Sequence, residues 1–250
     1  MIRLTFRVMT IVAAFLACVP LHYLWRLAGR RSPWPRRFLA RVGRAAGMRV
    51  RMVGKPLDRD VLFAANHKSW LDILLLGGSA GAAFVAKEEV ARWPVVGWLA
   101  RVNDSVFVAR AERSSVKGQA DALRNALAAG RPVALFPEGT VSDPGETLPF
   151  RPSLFASLFP PLPRVRVQPV AIDYGEAIAD IAWIEGETTA ANARRILSRR
   201  GTMRVTLHFL EPIDPHLSGD RKTLAATAEA EVLAALGASE ADAARLYAPR

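Results

Sequence analysis

Val61-Leu62-Phe63-Ala64-Ala65, then Asn66-His67-Lys68-Ser69-Trp70-Leu71-Asp72, then Ile73-Leu74-Leu75-Leu76 is the stretch on which the fold turns. Five residues without a polar side chain read as a strand buried on both faces. The polar turn that follows leads into an apolar run that reads as a helix over about 69–78. A strand feeding a helix through a short turn is half of a βαβ unit, and open α/β sheets collect ligands just past such strand ends. His67 and Asp72 are five residues apart, about 140° out of phase on a regular helix. They meet only if His67 lies in the turn before the helix. Asp72 then accepts the Nδ1–H of His67, and Nε2 is free as a general base. For the spacing alone, the alternative is a turn histidine with Asp72 capping the helix backbone.

Outward from this stretch, short apolar runs recur at 82–86 (AAFVA), 105–109 (SVFVA), 132–136 (PVALF), 165–172 (VRVQPVAI) and 203–210 (MRVTLHFL). Helical patterns separate them at about 113–129, 152–159, 188–200 and 219–236. The alternation predicts an α/β fold with a mixed, largely parallel central sheet flanked by helices. Two more segments sit at predicted strand ends. In Phe136-Pro137-Glu138-Gly139-Thr140, Pro137 fixes the exit from the strand and Gly139 permits close backbone approach. Glu138 is a candidate acceptor for hydroxyl groups, and Thr140 a candidate holder of an oxyanion. Val106-Phe107-Val108-Ala109-Arg110 ends in a guanidinium suited to phosphate or carboxylate. Lys68 and Lys87 are near these segments and are further candidate cations.

The charge is unevenly spread. The 250 residues carry a formal net charge of +11, and 51% are apolar. Twelve lysines and arginines and no acid lie between Met1 and Leu57, so the excess belongs to the N-terminal segment. A nucleic-acid partner is not expected, because its binding face would spread the basic residues. Val8–Trp25 is 18 residues without a formal charge. That is the lower limit for crossing a bilayer, although Pro20 and His22 interrupt it. Seven arginines follow within twenty residues, which points to anionic membrane phospholipids and a cytoplasmic main domain on the inner membrane. Trp34, Phe38 and Val42 beside Arg37, Arg41 and Arg44 read as a helix lying in the interface. The alternative is a helix docked on its own domain. Residues 1–48 are therefore set apart as membrane-associated, and 49–250 as the catalytic domain. One cysteine, Cys18, and four histidines offer no metal centre.

Taken together, NHKSWLD (66–72), SVFVAR (105–110), FPEGT (136–140) and VQPVAI (167–172) resemble, in order and spacing, the blocks of the 1-acylglycerol-3-phosphate acyltransferase (PlsC) family of glycerolipid acyltransferases. The resemblance covers about residues 50–215. It implies transfer of an acyl group from acyl-CoA or acyl-acyl-carrier protein to the hydroxyl of lysophosphatidic acid, forming phosphatidic acid. No cofactor or metal is implied. His67 is then the base, Asp72 its orienting partner, and Arg110, Glu138, Gly139 and Thr140 position the acceptor. Three positions depart from the family pattern: Asp104 replaces a glycine, Ala109 an acid and Val141 an arginine. Loss of that arginine, with the run LPFRPSLF (148–155), also resembles the branch that acylates lyso-ornithine lipid.

Two rival readings remain at this level. Gly77-Gly78-Ser79-Ala80-Gly81 fits the G-x-S-x-G nucleophile elbow of a serine hydrolase, or else marks the glycine-closed end of the helix begun at Asp72. A membrane-bound lipid-binding protein without turnover is the non-enzymatic reading.

Overall fold

The computed structural model describes residues 2–108 and 113–246. The chain runs α1 (Ile2–Leu27), α2 (Trp34–Ala45), β1 (Met48–Val53), β2 (Val61–Ala65), α3 (Leu71–Ala80), β3 (Ala83–Lys87), α4 (Glu88–Ala91) and α5 (Pro94–Val102). It continues with β4 (Val106–Val108), α6 (Arg113–Ala128), β5 (Val133–Leu135), a 3₁₀ turn (Pro152–Leu158) and β6 (Arg166–Asp173). α7 (Ile178–Ile181), α8 (Thr189–Ser198), β7 (Met203–Phe209) and α9 (Arg221–Leu246) complete it. The strands form one seven-stranded sheet in the order β1-β7-β6-β2-β5-β3-β4. Every pairing is parallel except β6 with β7. The mixed, mostly parallel α/β sheet flanked by helices is thus the one expected.

β2 is central, and all five of its residues are buried. β5 and β6 flank it in parallel, so the C-terminal ends of three neighbouring strands deliver their following residues to one edge. Two apolar layers cover the sheet. One gathers α2, α3 and part of α1, and the other gathers α6, α9 and the 3₁₀ turn.

Helix α3 explains the glycine cluster. Gly81 closes it in the left-handed conformation, with φ of 68°. A Cβ on Gly77 would stand 2.4 Å from Leu39, and one on Gly78 would stand 2.8 Å from the Ala40 backbone. These glycines let α2 pack against α3 at backbone contact. Ser79 lies in the last turn of α3, not on a strand-to-helix elbow, and its carbonyl accepts from Arg36. The hydrolase geometry is absent at this position.

One expectation is corrected here. The stripe Trp34, Phe38 and Val42 does not face a membrane. Phe38 and Val42 are buried in the core shared with α3, and Trp34 packs against it. An amphipathic pattern shows that a face is covered without saying by what, and here the covering surface is the protein's own α3.

Helix α1 is different. Its 26 residues are apolar enough to enter a membrane, and only Ala14 and Cys18 are buried. Ile2, Phe6, Met9, Leu16, Leu24 and Leu27 form an exposed stripe along its length. The opposite side is fastened to the domain. The Arg7 guanidinium donates to the carbonyls of Ile196, Leu197 and Gly201 at the C-terminal end of α8. Phe15 meets the rings of Phe38 and Trp98. The Arg41 guanidinium reaches the Cys18 sulfur at 3.7 Å.

Candidate active site

Asn66 follows the last residue of β2, and its side chain extends the sheet. Its Nδ2 donates to the Ile172 carbonyl (3.0 Å), and its Oδ1 accepts from the Ile172 N–H (2.7 Å). A fully buried amide thereby imitates one more step of β2–β6 pairing. The chain then turns, so His67 stands outside α3 while Asp72 is its second residue. The turn brings them together, with Nδ1 of His67 2.8 Å from Oδ2 of Asp72. The His67 side chain is 17% exposed and that of Asp72 is fully buried. The His67 ring stacks on Phe136 with centroids 4.1 Å apart and planes 14° apart.

Asp72 is saturated. Its Oδ2 also accepts from the backbone N–H groups of Lys68 (2.7 Å) and Ser69 (2.9 Å), so the carboxylate caps the first turn of α3 as well. Its Oδ1 accepts from the Tyr174 hydroxyl at 2.5 Å. Burial, joined by the Asp72 charge, pushes the Tyr174 phenol well above its usual range, so it stays protonated and donates. One carboxylate thus both meets the His67 ring and caps the backbone of the helix start. With Nδ1–H donating to this carboxylate, Nε2 is the acceptor nitrogen of His67.

Tyr174 was not singled out from sequence. It lies two residues past the predicted 165–172 strand, in the same strand-end position that marks His67 and Glu138. Tyr174→Phe removes the described donor to Oδ1 inside the protein. A hydrogen bond to a charged group contributes about 1.5–3 kcal/mol, and denaturant unfolding is expected to show a loss of that order. An unchanged midpoint would mean that the hydroxyl does not support Asp72.

Glu138 and Lys68 are placed differently from the expectation of ligands. Glu138 is fully buried. Its Oε1 accepts from the His67 N–H (2.7 Å) and its Oε2 from the Leu148 N–H (3.0 Å). It clips the turn after β5 to the backbone of His67. Lys68 donates its amine to the carbonyls of Asp143 (3.0 Å) and Glu146, and desolvation lowers its pKa. The carbonyl of His67 accepts from the N–H (2.9 Å) and hydroxyl (3.2 Å) of Ser142. His67 is thus held on both sides by the 136–148 segment.

Gly139 has φ of 76°, which only glycine adopts without strain, and Thr140 is exposed. Lys87 is the last residue of β3, at the same sheet edge. Arg110 lies outside the described residues. Trp70 donates its indole N–H to Asn192 of α8 (2.9 Å), tying the start of α3 to the helix that Arg7 caps. Among the described residues, no group of three or more His, Cys, Asp or Glu side chains is arranged for a metal ion.

The arrangement offers one partly exposed imidazole with its outer nitrogen open and its inner nitrogen held by a buried carboxylate. That is the equipment for taking a proton from a hydroxyl and returning it. The chain is similar to known proteins. Residues 49–173 match the family model described as Acyltransferase. The chain is 36% identical to the lyso-ornithine lipid O-acyltransferase of Brucella abortus over 254 residues, 94% of each chain. It is 37% identical to the 1-acyl-sn-glycerol-3-phosphate acyltransferase of Neisseria gonorrhoeae over 108 residues, 42% of each. The crystal structure of the LPA acyltransferase PlsC from Thermotoga maritima superposes with a TM-score of 0.65 at 29% identity, over 83% of this chain and 78% of that one.

Proposed function

Because this chain belongs to the Acyltransferase family and is a lysolipid acyltransferase, we propose that it transfers an acyl group from an acyl thioester to the hydroxyl of a lyso-ornithine lipid. The observation that carries the mechanism is the His67–Asp72 pair. The acceptor hydroxyl gives its proton to Nε2 of His67 as its oxygen attacks the thioester carbonyl carbon. Asp72 holds the ring and balances the imidazolium charge. The tetrahedral intermediate collapses, the carbon–sulfur bond breaks, and the departing thiolate takes the proton back from His67. The products are an ester and a free thiol, and no acyl-enzyme is formed. Acyl-CoA and acyl-acyl-carrier protein both present this thioester. Glu138 and Lys68 act through the backbone, keeping His67 and the 136–148 segment in register. Gly139 gives backbone clearance, with Thr140 at the open rim.

The choice of acceptor rests on two facts. Val141 stands where the glycerophosphate branch commonly has an arginine, and the full-length likeness is to a relative named for lyso-ornithine lipid. Lysophosphatidic acid is the second reading, favoured by the likeness to PlsC.

The protein is associated with membranes through α1. Arg7, Phe15 and Cys18 hold that helix to one globular domain at points along its length. A helix fastened in this way lies in the interface plane with its exposed stripe in the lipid. Helix α5, joined to it through Phe15 and Trp98, adds the exposed Trp93, Val95 and Val96. The arginines behind α1 favour the cytoplasmic face of the inner membrane.

The test is acyl transfer by the detergent-solubilised full chain, with labelled acyl thioester and each acceptor separately. Label is expected in ornithine lipid. Label only in phosphatidic acid would reverse the choice of acceptor, and no label in either would remove the functional reading.

A further inference from the structure

We propose that Arg151 grips the oxyanion of the acceptor headgroup and so sets which lysolipids the site accepts. The proposal rests on the reading of a lysolipid acyltransferase and gives a role to a residue of the LPFRPSLF run, to which the sequence reading assigns none. Arg151 hangs on the 136–140 turn itself, since its backbone N–H donates to the Pro137 carbonyl at 3.0 Å. Its guanidinium lies over Gly139. A Cβ there would be 3.3 Å from both Cζ and Nη1 of Arg151, so the glycine leaves the space that the guanidinium uses. Pro137 precedes Glu138, whose carboxylate holds the His67 N–H. The backbone of Arg151 is therefore tied to the backbone of His67 through two adjacent residues, Pro137 and Glu138, and two hydrogen bonds.

The guanidinium is exposed, and among the described residues it has no ion pair and no hydrogen bond. Its neighbours along this segment do not share the task. Lys68 is committed to the carbonyls of Asp143 and Glu146. Val141 is aliphatic, and both oxygens of Glu138 are occupied by backbone N–H groups. A planar guanidinium with free donors binds carboxylate or phosphate in a two-pronged fashion. Both acceptor classes supply such a group: the α-carboxylate of an amide-linked ornithine, or the phosphate of lysophosphatidic acid. Arg151 thus brings a guanidinium to this turn, where Val141 offers no charge.

The experiment compares wild type, Arg151→Ala and Arg151→Lys as full chains in detergent. Steady-state kinetics use lyso-ornithine lipid, lysophosphatidic acid and an uncharged monoacylglycerol as acceptors. Arg151→Ala is expected to raise the KM for an anionic acceptor by roughly 10–100-fold. The donor KM, the melting temperature and any activity on the uncharged acceptor stay near wild type. Arg151→Lys recovers part of the loss, because charge returns without the fork. The acceptor whose KM moves identifies carboxylate or phosphate as the ligand. An unchanged KM for both anionic acceptors overturns the proposal. So does an equal loss on the uncharged acceptor, which would make Arg151 only a support for the turn. A wild-type chain that acylates none of the three overturns the functional reading and this proposal with it. An active wild type with indifferent Arg151 variants overturns this proposal alone.

Discussion

His67→Ala is expected to lower the turnover of acyl transfer by roughly 10²–10⁴-fold, the usual contribution of a positioned general base. The protein should remain folded, because the backbone of His67 carries its structural contacts. Its N–H donates to Glu138 and its carbonyl accepts from Ser142, and both survive the substitution. Asp72 keeps its other three donors: Lys68 N–H, Ser69 N–H and the Tyr174 hydroxyl. The acceptor KM should change little, since the proposed headgroup contact is made by Arg151. The checks are initial rates with labelled thioester and a thermal melt on the same preparation. Turnover within threefold of wild type, in a protein that melts normally, would rule out His67 as the base.

The parts of this architecture legible in the sequence are those that follow from a short list of physical demands. A strand buried on both faces is expected to be apolar throughout, and β2 and β5 announce themselves in that way, while β6 does so only over Val170–Ile172. Residues just past parallel strands converge on one edge, which is why His67 and the 136–140 turn could be paired without coordinates. The edge strand β1 escaped notice for the opposite reason. Met48-Arg49-Val50-Arg51-Met52 alternates, yet every residue from Arg49 to Val53 is exposed, so the strand is not one of the apolar runs by which the others are found. The α4–α5 stretch also escaped, being short helices with exposed Trp93, Val95 and Val96 where a buried stripe would be sought.

The site divides along a different line. Residue type indicates which chemistry a side chain can perform and leaves open whether a substrate or the backbone receives it. Glu138 and Lys68 carry charges that suit an acceptor lipid, yet their described partners are an N–H pair and a carbonyl pair of the protein's own loop. Asn66 looks like part of a reacting motif, and its contacts extend a sheet. The motif is conspicuous in sequence because one histidine needs a rigid mount, and most of the residues around it provide that mount. Arg151 shows the converse. It lies far along the chain from FPEGT, and only the fold of the 136–151 segment lays its guanidinium over Gly139.

Replacing Asp72 separates charge from scaffold, and two variants should part company. The backbone N–H groups of Lys68 and Ser69 both point at the Oδ2 position, and neither can turn round. In Asp72→Asn the amide oxygen must therefore occupy that place. The amide NH₂ then falls opposite Tyr174, whose hydroxyl rotates to accept where it had donated. His67 Nδ1–H still meets an oxygen, so the tautomer survives and only the negative charge is lost. A neighbouring opposite charge favours the ionised form of its partner by about 10–10³ in equilibrium. With proton transfer well advanced in the transition state, turnover should fall by that order, while stability changes by less than about 1 kcal/mol. Asp72→Ala leaves the two N–H groups and the Tyr174 hydroxyl unpaired in the interior. At roughly 1–3 kcal/mol for each buried unsatisfied group, this removes a large part of the ~5–15 kcal/mol that holds a domain folded. Denaturant midpoints and rates per folded molecule, measured on both variants, decide the matter. Asp72→Asn at wild-type turnover would reduce Asp72 to a helix cap. Asp72→Asn as unstable as Asp72→Ala would mean that the amide cannot seat itself, and that the carboxylate's second oxygen is needed by the fold as much as its charge is needed by His67.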